Sequence, residues 1–107
     1  MNIEEQIRLA ENRTKMYDIL RVICEEYALR IDEVLQQFRD SIAKEARQMF
    51  IGVCHLKLNF NQTEIARMIG ISQPHAHRGL CIFFEDLEDC SETQEIYQKI
   101  INKLELS

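Results

Sequence analysis

Five side chains able to hydrogen-bond to a nucleic-acid base fall between positions 72 and 78: Ser72, Gln73, His75, His77 and Arg78. Glutamine presents a donor and an acceptor together, the pattern that matches adenine. The arginine fork matches guanine, and a serine hydroxyl adapts to several bases. The same stretch invites a metal reading, because His77 and Cys81 are four apart and His75 is close by. A structural zinc site needs four converging ligands. The remaining pair, Cys54-His55, lies on a different predicted helix, so no metal is expected. No nucleophile, base and orienting group occur together, so neither catalysis nor a cofactor is expected.

Such side chains read bases only when a rigid element aims them. The segment Gln62–Leu80, QTEIARMIGISQPHAHRGL, has the layout of a helix-turn-helix. Ile65, Ala66 and Ile69 share one face of a first short helix. Gly70 tolerates the positive φ that ends a helix abruptly. Ile71 plugs the turn. Ser72 caps the next helix, and Pro74 lies in its first turn, where a missing N–H costs little. Ala76 and Leu80 continue the apolar stripe inward. Ser72, Gln73, His77 and Arg78 then point outward, with His75 near the edge. In this motif the start of the second helix enters the major groove, and its free N–H groups attract phosphate.

The rest of the 107 residues supports one such unit. Apolar residues make up 46 % of the chain, and only one Pro and three Gly interrupt it, which predicts a mostly helical globule. Residues 1–14 form a polar N-terminal extension, helical or frayed, and 15–107 form the domain. Met16–Leu29 has apolar residues at 16, 19, 20, 23, 24 and 27, an amphipathic helix. Ile31 opens a short helix with Asp32 and Glu33 in its first turn and Val34, Leu35 and Phe38 inward. The stretch QQFRDSIAK is expected as a loop up to Ser41, which can cap the next helix.

Ile42–Leu58 is the long central helix. Its broad apolar face is Ile42, Ala46, Met49, Phe50, Val53, Cys54 and Leu56, and Gly52 marks a close crossing. Asn61 or Gln62 starts the next helix. Beyond Leu80 the recognition helix continues through Ile82, Phe83, Phe84 and Leu87 into the acidic EDLEDCSE. Glu92–Leu104 closes the core through Ile96, Tyr97, Ile100, Ile101 and Leu104. Cys24, Cys54, Cys81 and Cys90 lack CxxC spacing and are expected reduced, the first three as small core residues.

The net charge of −5 is unevenly spread. Residues 39–79 hold six basic residues (Arg39, Lys44, Arg47, Lys57, Arg67, Arg78) against three acidic ones (Asp40, Glu45, Glu64), a local +3. Residues 1–38 carry −3 and 80–107 carry −5. The cationic excess coincides with the motif, and the acidic ends weaken non-specific affinity for phosphate.

The order of elements, with IAKEARQMFIGVCHLKLNFNQTEIARMIG, resembles the C-terminal DNA-binding domain of the bacterial replication initiator DnaA. The resemblance spans about residues 15–104. Arg47-Gln48 before an apolar helix and Thr63-Glu64-Ile65 before the turn match best. It implies an all-α bundle of about six helices, Trp-repressor-like, in a bacterial or phage setting. By that resemblance Arg39, Lys44 or Arg47 touches the minor groove or backbone; Gln62 and Thr63, at the start of the helix before the turn, are also expected at the backbone or minor groove. The family's turn resembles GGRDHTTVLHA, whereas this chain has GISQPHAHRGL, so the residues that would read the family's DNA box are replaced. No Walker A loop is present, so a stand-alone protein without the ATPase part, binding no nucleotide, is expected.

The expectation is therefore a double-stranded DNA-binding protein reading the major groove with helix 72–84 and regulating transcription or replication initiation. One reading head makes few base contacts, so a homodimer or a larger assembly is expected. No membrane-spanning stretch or signal peptide is found, which predicts a cytoplasmic, nucleoid-associated protein. The alternative is a protein-interaction module that keeps the fold, presents an acidic surface and binds little or no DNA.

Overall fold

Apolar residues recur every three or four positions along most of the chain, and a computed structural model shows that helices alone answer this spacing. The structure describes residues 1–35 and 41–106. Among them are six helices and no strand: α1 (Ile3–Tyr27), α2 (Ile31–Leu35), α3 (Ser41–Leu58), α4 (Gln62–Ile69), α5 (Gln73–Asp89) and α6 (Ser91–Leu104). Phe38 and Arg39, and most of the expected loop before Ser41, lie outside the described residues.

Residues 3–14 continue α1 without a break. Asn2 caps the helix, its side-chain oxygen accepting from the Glu5 N–H at 2.8 Å, and Glu4 and Glu5 suit the first turn. The second half of α1 buries Met16, Ile19, Leu20 and Ile23. Four helices end in the same way, with a residue in the left-handed region: Ala28 (φ 54°), Asn59 (φ 56°), Gly70 (φ 71°) and Glu105 (φ 57°). The next N–H then reaches back to a carbonyl five residues earlier, as from Leu29 to Cys24 at 2.9 Å and from Ile71 to Ala66 at 3.0 Å, or six in the case of Phe60 to Cys54 at 3.2 Å.

Helix α3 is the hub, packing on all five other helices. It buries Ala46, Met49, Phe50, Val53 and Cys54 completely or nearly so. Its apolar face is shorter than the sequence suggests. Ile42 (48 % exposed) and Leu56 (40 %) both face solvent. Ile42 lies on the buried side but in the first turn, and Leu56 lies at the edge of the stripe near the last. Neighbouring helices cover only the middle. Leu35 is also exposed, because Val34 fills the inward position of the five-residue α2.

The crossing of α3 and α5 fixes where the polar tip of α5 sits. Gly52 is needed there, since a Cβ on it would overlap the Phe83 ring. A Cβ on Gly79 would come within 2.9 Å of Ile51 Cδ1. Two glycines, one on each helix, thus let the backbones approach closely. The radius of gyration is 13.3 Å, close to the ~13 Å of a compact chain this long. The 30 Å and 24 Å widths contrast with a 44 Å long axis. Among the described residues no helix is long and apolar enough to cross a membrane.

Candidate nucleic-acid interface

Helices α4 and α5 are joined by three residues, Gly70, Ile71 and Ser72. Asn61 caps α4, accepting from the Glu64 N–H at 2.8 Å. Ser72 caps α5, its Oγ accepting from the His75 N–H at 3.3 Å, and Pro74 sits in the first turn. Ile65, Ala66, Ile69, Ala76 and Leu80 are buried between the two helices and α3, and Ile71 packs half-buried on the core. The turn is thus held by one left-handed glycine, one cap and one apolar plug.

This packing leaves Ser72, Gln73, His75, His77 and Arg78 exposed. They fan out in two directions. His75 and Arg78 turn towards α3, where they line a shallow groove with Lys44, Arg47 and Gln48 over an apolar floor that includes Ile82. His77 turns the other way, towards the start of α4. Its Nδ1 lies 3.2 Å from Gln62 Oε1 and its Nε2 lies 3.7 Å from Cys81 Sγ. With Nδ1 protonated, His77 donates to Gln62 and Nε2 is left to accept from the thiol. Gln62 and Thr63 are half-buried at the start of α4. Gln73 and Ser72 stand at the tip.

The charges separate cleanly. Arg78 makes no ion pair with any described residue. Lys44 is exposed at the rim of the groove. The two described acids of the basic segment face elsewhere. Glu64 lies towards α1, beside Arg67 and Met68. Glu45 lies with Asp86 and Tyr27 around a separate small pocket, which meets the Arg78 groove only at Gln48. Burial, reinforced by Glu45 and then Asp86, pushes the Tyr27 hydroxyl well above the usual tyrosine range.

Arg47 corrects the sequence expectation. It is only 8 % exposed, and its Nη1 donates to the Val34 carbonyl at 3.2 Å, so it braces α2 against α3. Burial pulls its pKa below the usual arginine value, though a guanidinium stays charged in proteins. A side chain so placed forms part of the wall of the groove. Cys81 is a second correction, being exposed beside His77 and outside the core. Cys24 and Cys54 are buried. Burial and Glu33 push the Cys24 thiol up to about 11, and burial raises Cys54 further, so both stay protonated. Arg39 lies outside the described residues. No three His, Cys, Asp or Glu side chains gather as a metal site among the described residues.

Gln48 entered the sequence reading only through the Arg47-Gln48 match and not as a site residue, yet it stands in the groove beside Arg78 and His75. Its signal was the spacing of Lys44, Gln48 and Ile51, which puts them on one stripe of α3. No family model matches this chain, and no curated protein matches it.

Proposed function

We propose that this protein binds double-stranded DNA by laying the start of α5 in the major groove, with α4, turn and α5 acting as a helix-turn-helix. The observation that carries the reading is Arg78, exposed and without a carboxylate partner among the described residues. It lines one groove with Lys44 and His75, and neither Glu45 nor Asp86 lines that groove. Arg78 and Gln73 are assigned to base edges, and Ser72 and Thr63 to phosphates. His77 is assigned to the same groove, held in one orientation by Gln62. Lys44 flanks the duplex and contacts its backbone.

The resemblance to the DnaA DNA-binding domain supports the same docking direction. The different turn, GISQPHAHRGL, calls for a different target sequence. A regulatory role in transcription or replication initiation fits a single small reading head. Such a head needs a second copy or a larger assembly to specify a site.

Selection of bound sequences from a random duplex pool tests the reading directly. Enrichment of one site, with affinity falling as salt rises from about 50 to 200 mM, is the expected result. No salt-sensitive binding to any duplex at the lower salt overturns it.

A further inference from the structure

The first fifteen residues contribute little to the core; only Leu9 and Asn12 among them are even half-buried. Yet this half of α1 is not uniformly polar. Ile3 (72 % exposed), Ile7 (53 %) and Tyr17 (48 %) lie on one side, with Ala10 and Thr14 between them. The spacing of four, three, four and three residues is that of a coiled-coil seam. Thr14 joins it with its hydroxyl satisfied within the helix, donating to the Ala10 carbonyl at 3.1 Å. The seam faces away from Met16, Leu20 and Ile23, which anchor the same helix in the core.

One flank of the seam is a row of acids at seven-residue spacing: Glu4, Glu11, Asp18 and Glu25. All four are exposed. Glu25 pairs with Arg21 at 3.7 Å; exposed Arg8 and Lys15 lie one turn from Glu4 and Glu11, yet Glu4, Glu11 and Asp18 make no ion pair with any described residue. The other flank carries Gln6 and Arg13.

These charges select the occupant. An antiparallel second copy sets Glu11 against Glu11 and Glu4 near Asp18, which is repulsive. A parallel copy gains one attraction per side, Arg13 with Asp18. A helix with an apolar stripe edged by Lys or Arg satisfies the seam and the acidic row together. The geometry points to the N-terminal half of α1 as a docking surface for a basic amphipathic helix of a partner protein. The surface is separate from the α5 tip, so the inference stands or falls independently of DNA binding.

The probe is a three-heptad peptide with Leu at the a and d positions and Lys at e and g, compared with the same peptide carrying Glu at e and g. Titration of the full chain at low salt is expected to show the Lys peptide bound at least ~10-fold more tightly, with the gap shrinking in ~0.5 M salt. Ile7→Glu is expected to weaken Lys-peptide binding at least ~10-fold with the melting temperature unchanged, since Ile7 is outside the core. The double change Glu11→Lys with Asp18→Lys is expected to reverse the preference between peptides. Glu85→Lys with Glu88→Lys, which alters equal charge elsewhere, is expected to preserve it.

Equal binding of the two peptides, or Lys-peptide binding that ignores Ile7→Glu, overturns the proposal. So does a concentration-dependent dimer in sedimentation that Ile7→Glu abolishes, because the occupant is then a second copy.

Discussion

From Gln73 to Ile82, α5 carries two histidines and an arginine and no acid; from Glu85 to Asp89 it carries four acids and no base. A helix has a partial positive charge at its N-terminus and a partial negative charge at its C-terminus, so this order opposes the dipole. Most other helices follow it at one end or both. Acids occupy the first turns of α1, α2, α4 and α6, and Arg67 and Lys103 stand in the last turns of α4 and α6. Each charge set against the dipole costs ~0.3–1 kcal/mol. The charges of α5 are therefore not arranged for the stability of α5. They make one half a cationic tip and the other half a surface that repels polyanions.

The two halves meet at Phe83, which is buried against α3 and stacks at a tilt on Tyr97, with centroids 5.8 Å apart. Phe83→Ala is expected to cost ~3–5 kcal/mol in urea denaturation and to loosen both halves together. A loss confined to one half, read by amide exchange, breaks the picture of a single rigid helix. Arg78→Ala acts on the tip alone. It is expected to weaken binding to a preferred duplex by ~1–3 kcal/mol, about 5- to 150-fold, and to leave stability within ~0.5 kcal/mol. Equal affinity in a filter or anisotropy assay removes its assigned role.

Ser72→Ala removes the cap that sets the start of the tip and is expected to cost ~0.5–2 kcal/mol of stability. Affinity for a duplex falls with it if the cap geometry orders the reading residues. Asp89→Lys probes the acidic end. It is expected to raise stability by ~0.3–1 kcal/mol, measured by thermal melting at low salt, and to leave the selected sequence unchanged. A changed target sequence means that the acidic half also takes part in base reading.

Much of this arrangement is local and so readable from the chain. Asn61, Gly70 and Ser72 act through backbone groups within four residues of themselves, and they cap and turn α4 and α5 as their types require. The stripe of α1 from Met16 to Cys24 and that of α6 through Ile100 and Ile101 follow from helical period alone. Gly52 announced a close crossing by its position in the middle of a helix, though not the ring that it meets. The separation of charge along α5 is also written in plain order.

Other features depend on which neighbours arrive. Ile42, Leu56 and Leu35 are apolar and exposed, because no other helix among the described residues extends over them. Cys81 has an apolar neighbourhood in sequence and a polar one in space, beside His77. Arg47 looks like a surface cation until α2 supplies the Val34 carbonyl that holds it.

By itself the sequence determined the helical segments, the caps at Asn61 and Ser72 and the turn at Gly70, because those depend on backbone geometry and periods of three to four residues. The meeting of Lys44, Gln48, His75 and Arg78 in one groove was decided only when Gly52 and Gly79 let α3 and α5 close on each other. Packing against distant residues sets burial and juxtaposition, and no local rule contains it.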